Sequence, residues 1–167
     1  MAAPGASAAD SAASRPVASP EDANRLQPLT IGFLEDVVVF PGNLRLKAKI
    51  DTGAKSSSLD ALNILPFKKD GADWVRFSVA GDLEEVWRFR LPVVRTVGIK
   101  RAGAPTLRRY VVELSVCLGP IQKKTEVNLI NRSGMNYRML IGRLFLAGDF
   151  LVDPGAAFVT STTCAGR

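Results

Sequence analysis

Hydrophobic and polar residues alternate in short runs along most of this chain. In residues 44–50, Leu44, Leu46, Ala48 and Ile50 fall on one face and Arg45, Lys47 and Lys49 on the other. That period of two predicts a strand with one buried side. Residues 110–118 repeat it, with Val112, Leu114, Val116 and Leu118 aligned. Residues 30–40 are apolar with an acidic break at Glu35-Asp36 and read as one or two strands. Residues 57–62, 125–130 and 149–152 read as further strands, and 74–79 with 85–94 as a hairpin around Ala80-Gly81-Asp82. Turn chemistry marks Pro41-Gly42-Asn43, the polar stretch 66–72, and Gly119-Pro120. Residues 95–109 are basic, contain Gly98, Gly103 and Pro105, and read as an exposed tip between two strands. The pattern predicts one short helix, 144–147, stopped by Gly148. Many short strands at close spacing predict an all-β fold, either barrel-like or a sandwich.

Composition sets the limits of this domain. The first 28 residues are rich in Ala, Ser and Pro and read as a disordered tail. The folded unit is expected over 29–156, with a short C-terminal tail at 157–167. An apolar content of 47% in 167 residues supports one domain with a sizeable core. No apolar run is long enough to span a membrane. The net charge is +6. The first 28 residues hold Arg15 and Arg25 against Asp10, Glu21 and Asp22, so the remainder carries about +7. Such a field favours acidic partners. The basic residues are dispersed in short pairs without interleaved exposed aromatics, so no nucleic-acid platform is expected.

The chemistry-bearing residue types narrow the field further. There is no histidine, which excludes His-based triads and general bases and removes the usual zinc ligand sets. Cys117 and Cys164 lack metal-like spacing, and one disulfide or two free thiols both remain open. No Gly-rich phosphate loop ending in Lys-Ser/Thr occurs, and no cofactor is expected. The strand 44–50 instead delivers Asp51 into a turn of small residues, Thr52-Gly53-Ala54, followed by Lys55 and three serines. A carboxylate on a rigid strand beside a glycine that lets substrate approach closely is well placed for chemistry.

Asp51-Thr52-Gly53-Ala54 resembles the active-site signature of aspartic peptidases. Downstream, Met139-Leu140-Ile141-Gly142-Arg143 followed by Leu144-Phe145-Leu146 is similar to the apolar-apolar-Gly-Arg segment and short helix of retroviral-type proteases. With Trp74-Val75-Arg76-Phe77, Asn131-Arg132 and Phe150-Leu151-Val152-Asp153-Pro154-Gly155, these motifs resemble a bacterial, RimK-associated family often labelled "ATP-dependent zinc protease". The resemblance implies a retropepsin-like closed barrel with one short helix after Gly142. It also implies an aspartic endopeptidase in which two close carboxylates share a proton and activate water. The chain has a single Asp-Thr-Gly, so the second carboxylate is expected from Asp51 of another copy, in a two-fold homodimer.

Carried onto this sequence, the resemblance makes Asp51, Thr52 and Gly53 the catalytic segment, the Thr52 hydroxyls locking the two loops together. Ala54, Gly142 and Arg143 support it. The stretch 95–109 becomes a flap, with Arg95 and Arg101 placing positive charge over the cleft. Two departures matter. Retropepsins pair the arginine with an acid just after the signature, where this chain has Lys55; Arg143 is left with Asp60, Asp149 or backbone carbonyls. Family members often carry His where Asp60 stands, so no catalytic zinc is expected. The family's link to ligases that add glutamates implies acidic peptides or proteins as substrates. The alternative is a non-catalytic or partner-activated peptide-binding module of the same fold, using the basic flap. The N-terminal tail lacks a basic start and apolar core, and reads as the spacer of an exported, periplasmic protein; a flexible cytoplasmic extension is the alternative.

Overall fold

The computed structural model describes residues 27–82, 85–101, 103–132 and 134–164, with side chains for all of these but 99–101 and 104–106. Residues 1–26 of the expected N-terminal tail therefore lie outside the described residues. The elements are β1 (Leu29–Phe40), β2 (Leu44–Asp51), β3 (Ser57–Asp60), β4 (Leu62–Lys69), β5 (Ala72–Ala80), β6 (Val86–Pro92), β7 (Arg95–Arg101), β8 (Ala104–Leu118), β9 (Ile121–Ile130), β10 (Met139–Gly142), α1 (Arg143–Leu146) and β11 (Phe150–Ala157).

Six of these strands close on themselves. The order β1-β2-β10-β3-β9-β8 is completed by antiparallel pairing of β8 back onto β1, Val37 opposite Leu118 through Phe40 opposite Ser115. Closure pairs each of the six on both sides, while β11 adds beside β1 and β7 beside β8. The inward faces fill the barrel. Leu44, Leu46, Ala48 and Ile50 of β2 are buried while Arg45, Lys47 and Lys49 are exposed, as the alternation predicts. Val112, Leu114, Val116 and Leu118 of β8 join them in the core. Each large aliphatic side chain so buried contributes about 2 kcal/mol. β4, β5 and β6 form a separate three-stranded sheet whose inner residues Val75, Phe77, Val79 and Phe89 join the same core.

Four local expectations are corrected. Residues 30–40 form one strand, the first of the two readings, and the corrected point is that Glu35 is no break in it. Its side chain is fully buried, Oε1 accepting from Gly32 N at 2.7 Å and Val159 N at 3.1 Å. Oε2 accepts from Thr160 N at 3.2 Å and Thr160 Oγ1 at 2.9 Å. Residues 66–69, expected in a turn, lie in β4, paired with 72–75 of β5. The turn is only Asp70-Gly71, both at positive φ (50° and 79°), the backbone of a two-residue hairpin loop. Residues 95–109 are not an irregular tip: Arg95 to Ile99 pair residue by residue with Val111 to Leu107, making a hairpin. The helix starts at Arg143, one residue before its expected start.

Residues 157–164, read as a tail, are attached to the barrel. Phe158 N donates to Leu34 O at 2.8 Å, Thr163 N to Gly119 O at 3.1 Å, and Cys164 forms a disulfide with Cys117 across a sequence separation of 47. Glu35 thus clasps β1 to this C-terminal segment through a carboxylate with four hydrogen-bond donors. Glu35→Ala strands those donors without an acceptor. It is expected to lower unfolding free energy by about 3 kcal/mol, measured by denaturant titration; a loss below about 0.5 kcal/mol would show that the clasp carries no stability.

Candidate active site

Strand β2 ends at Asp51, and the chain turns at once. Gly53 N and Ala54 N donate to Asp51 Oδ1 at 3.0 and 3.1 Å, and Ala54 N also reaches Asp51 O at 3.2 Å. Backbone amides, rather than a direct ion pair, fix the carboxylate's orientation. Thr52 and Gly53 are exposed, and Asp51 is half-buried at the rim.

Strand β10 supports this turn from beneath. It lies parallel to β2, Ile141 opposite Ile50 and Gly142 opposite Asp51, and antiparallel to β3. Gly142 sits so close to the segment after Asp51 that a Cβ there would lie 2.6 Å from Ser56 C and 2.7 Å from Ser56 O. Ser57 Oγ accepts from Gly142 N at 3.2 Å. The chain then rises into α1, where Arg143 N donates to Ala54 O at 2.9 Å and Leu144 N to Lys55 O at 3.0 Å. Arg143 Nη1 donates to Thr52 O at 2.9 Å and Gly53 O at 2.8 Å. Of the three partners open to Arg143, it takes the backbone carbonyls, which need no acid at position 55. One guanidinium and two helix-start amides therefore hold the loop from Thr52 to Lys55.

A second polar layer lies behind the loop. Asp60, 3% exposed, accepts from Arg132 N at 2.6 Å and from Arg138 Nη1 at 3.2 Å. Arg132 is itself buried and donates to Ser58 Oγ at 3.0 Å and Tyr137 O at 3.2 Å. Burial pushes its guanidinium below the ordinary range; the charges of Asp60 and Asp51 pull it back up, and that of Arg109 pushes it down. Asp60 is thus committed to two arginines, and among the described residues no group of three His, Cys, Asp or Glu side chains is placed to hold a metal. Sequence reasoning assigned Arg132 no role; the Asn131-Arg132 pair carried the only signal, as part of the family wording.

The remaining site residues separate. Ala54 is half-buried within the braced loop. Arg95 donates to Glu126 Oε2 at 2.9 and 2.7 Å, so its charge over the cleft is matched. Arg101 lies at the hairpin tip, and its side chain is outside the described residues. Arg95, Val97 and Arg109 at the hairpin's base line one cavity together with Lys55 and Ser56. On the other side of the loop, Thr52, Arg143, Leu146, Leu151 and Val152 line a mostly apolar hollow. Downstream acids are engaged elsewhere: Asp149 pairs with Lys123, and Asp153 accepts from Gly155 N at 2.8 Å.

Because the Ser56 backbone occupies the space a side chain at 142 would need, Gly142→Ala must push the loop that follows Asp51 outward. An unfolding free-energy loss of about 2–3 kcal/mol is expected from chemical denaturation. A stable, crystallisable Gly142→Ala protein with Ser56 unmoved would refute this packing.

Comparisons with known proteins agree with this architecture. The RimB-like family model, described as retropepsin-like aspartic endopeptidase RimB, matches residues 30–163. A Parasynechococcus marenigrum protein named "Probable alpha-L-glutamate ligase" is 41% identical over 112 residues, 65% of this chain and 24% of that protein. A Shewanella pealeana protein of the same name is 36% identical over 129 residues, 74% of this chain and 28% of that protein. This chain spans about a quarter of the length of those relatives. Among solved structures, a Legionella pneumophila protein of unknown function matches with a TM-score of 0.68 at 35% identity, covering 79% of this chain and 98% of that one. The chain belongs to the RimB-like family of retropepsin-like aspartic endopeptidases.

Proposed function

We propose that this protein is an aspartic endopeptidase that works as a homodimer, hydrolysing peptide bonds with water activated between two copies of Asp51. The observation that carries the reading is the Asp51 turn itself: a carboxylate fixed by two amides, on an exposed loop braced by Gly142 and Arg143. Asp51 of a second copy, brought across a two-fold axis, supplies the missing carboxylate. Two such groups about one water apart cannot both ionise cheaply, so one keeps a proton. The ionised group takes a proton from water, which attacks the peptide carbonyl. The protonated group hydrogen-bonds the carbonyl oxygen as charge develops there; the C–N bond of the tetrahedral intermediate then breaks as the proton taken from water passes from the carboxylate pair to the leaving amine. The exposure of Thr52 and Gly53 supports a partner at this loop, as do the apolar hollow beside it and the exposed Leu144 and Leu151.

The substrates in this reading are acidic peptides or proteins. The basic balance of the chain supports that, as does the occurrence of similar sequence inside longer proteins named as glutamate ligases. The same occurrence favours, as a second reading, a peptide-binding module that serves a partner enzyme. We also assign the protein to the periplasm. The Cys117–Cys164 disulfide supports this, because such bonds persist in oxidising compartments.

Two measurements test the catalytic reading. Asp51→Asn is expected to lower kcat/KM on a cleaved peptide by at least about 10³-fold with the fold intact by circular dichroism, and chelators are expected to leave the wild type unaffected. Retained cleavage in that variant would end the aspartic mechanism. Specific activity is expected to rise with protein concentration through a dimerisation constant, followed beside sedimentation; full activity in a species that sediments as a monomer would refute the shared pair.

A further inference from the structure

Beside the Asp51 loop, under the base of the β7–β8 hairpin, a cavity of ≈ 500 Å³ is lined by Lys55, Ser56, Arg95, Arg109, Asn128 and Leu144, among others. Its polar groups are unevenly satisfied. Arg95 and Glu126 neutralise each other at 2.7 Å. Asn128 Nδ2 donates to Ser56 Oγ at 2.8 Å and Ser57 O at 3.0 Å, which fixes the floor. Arg109 is different: its Nε is buried with no hydrogen-bond partner. Among the described residues, neither Arg109 nor Lys55 takes part in an ion pair. Arg109 also stands close enough to Arg132 to oppose its charge. A half-buried guanidinium whose buried Nε–H has no acceptor, near the second cation Arg132, is left under-satisfied by the fold.

We propose that Arg109, assisted by Lys55, is the specificity-determining residue of this cleft, holding the carboxylate of an acidic side chain in a substrate peptide. The position follows from the chain: Lys55 and Ser56 come directly after the catalytic turn, so a peptide lying across Asp51 sends a side chain near the scissile bond into this cavity. The chemistry follows from the fork of donors on a guanidinium, which matches a carboxylate through two parallel hydrogen bonds and gives the unmet Nε–H an acceptor. Lys55, exposed and lining the same cavity, supplies a second positive charge. Val97, opposite Arg109 in the hairpin, and Leu144 give apolar walls for the methylenes of such a side chain. The size falls in the range of small-ligand sites. This inference rests on the peptidase reading for its substrate, but not for the binding it describes.

The test uses matched peptides that differ only by Glu or Gln at each position around a cleaved bond. kcat/KM is measured for wild type, Arg109→Gln and Arg109→Lys, and binding of the same labelled peptides to Asp51→Asn by fluorescence anisotropy. At one position, wild type is expected to favour Glu by about 10–100-fold, Arg109→Gln to bring that ratio to about one, and Arg109→Lys to keep part of it. Asp51→Asn is expected to show the same Glu preference in binding, and to lose it when combined with Arg109→Gln. A Glu preference that survives Arg109→Gln, or equal or absent binding of Glu and Gln peptides to Asp51→Asn, would overturn the assignment. If wild type cleaves nothing while Asp51→Asn binds Glu peptides through Arg109, the catalytic reading fails and the subsite stands. Should Arg109→Gln fail to fold, Arg109→Lys and the dependence of wild-type preference on salt carry the decision: a preference unchanged by both would overturn it.

Discussion

The absence of a side chain at residue 142 is the constraint on which the site depends. β10 passes so close to the backbone of Ser56 that no Cβ fits between them, and this proximity lets Arg143 N and Leu144 N reach Ala54 O and Lys55 O. Asp51 is then held from two directions. Its own turn supplies amides to Oδ1, and the helix start with the Arg143 guanidinium fixes the carbonyl side of that turn. Neither device requires an acid after the Asp-Thr-Gly-Ala segment, which explains how Lys55 is accommodated. Lys55 also adds a positive charge to the lining of the adjoining cavity.

Buried charge in this domain follows a consistent rule. Glu35 has four donors from β1 and the C-terminal segment. Asp60 has the Arg132 amide and the Arg138 guanidinium, and Arg132 in turn reaches a serine and a carbonyl. A half-satisfied buried network costs more than an apolar core, so such groups persist when each donor and acceptor is met. Among the described residues two buried side-chain atoms depart from that rule, Glu85 Oε2 and Arg109 Nε, and Arg109 is the one beside the Asp51 loop. A structural arginine gains nothing from an unmet donor, whereas a binding site needs a donor that only the ligand satisfies.

The parts of the chain that were legible in advance share one property: their signal is local. The β2 alternation, the Asp51 turn and the Gly142-Arg143 corner are written in neighbouring residues, because strand burial repeats every second position and tight turns need small residues. Elsewhere local signals misled. Glu35 reads as a break because a lone carboxylate in an apolar run ordinarily marks exposure; its four donors come from the bulge at Gly32 and from residues 159 and 160, far along the chain. Lys68 and Lys69 read as turn residues, yet they sit on an exposed edge strand where lysines protect against unwanted pairing. The glycines and basic residues of 95–109 masked a ladder whose partners are contributed by 107–111.

Sequence alone determined the all-β class, the place of Asp51 at the end of a strand in a turn of small residues, the exclusion of histidine chemistry, and the glycine-arginine segment that supports that turn. These are properties of residue identity and short-range periodicity. Only the tertiary structure decided the barrel's closure of β8 onto β1, the choice of backbone carbonyls by Arg143, the pairing of Cys117 with Cys164, and the matching of Arg95 by Glu126. It also decided that Arg109, one of several similar arginines in the sequence, keeps a buried donor unmet. Each of these depends on which segments meet in space. Hydrogen-bond and charge satisfaction is a sum over neighbours, and most of those neighbours lie tens of residues away along the chain.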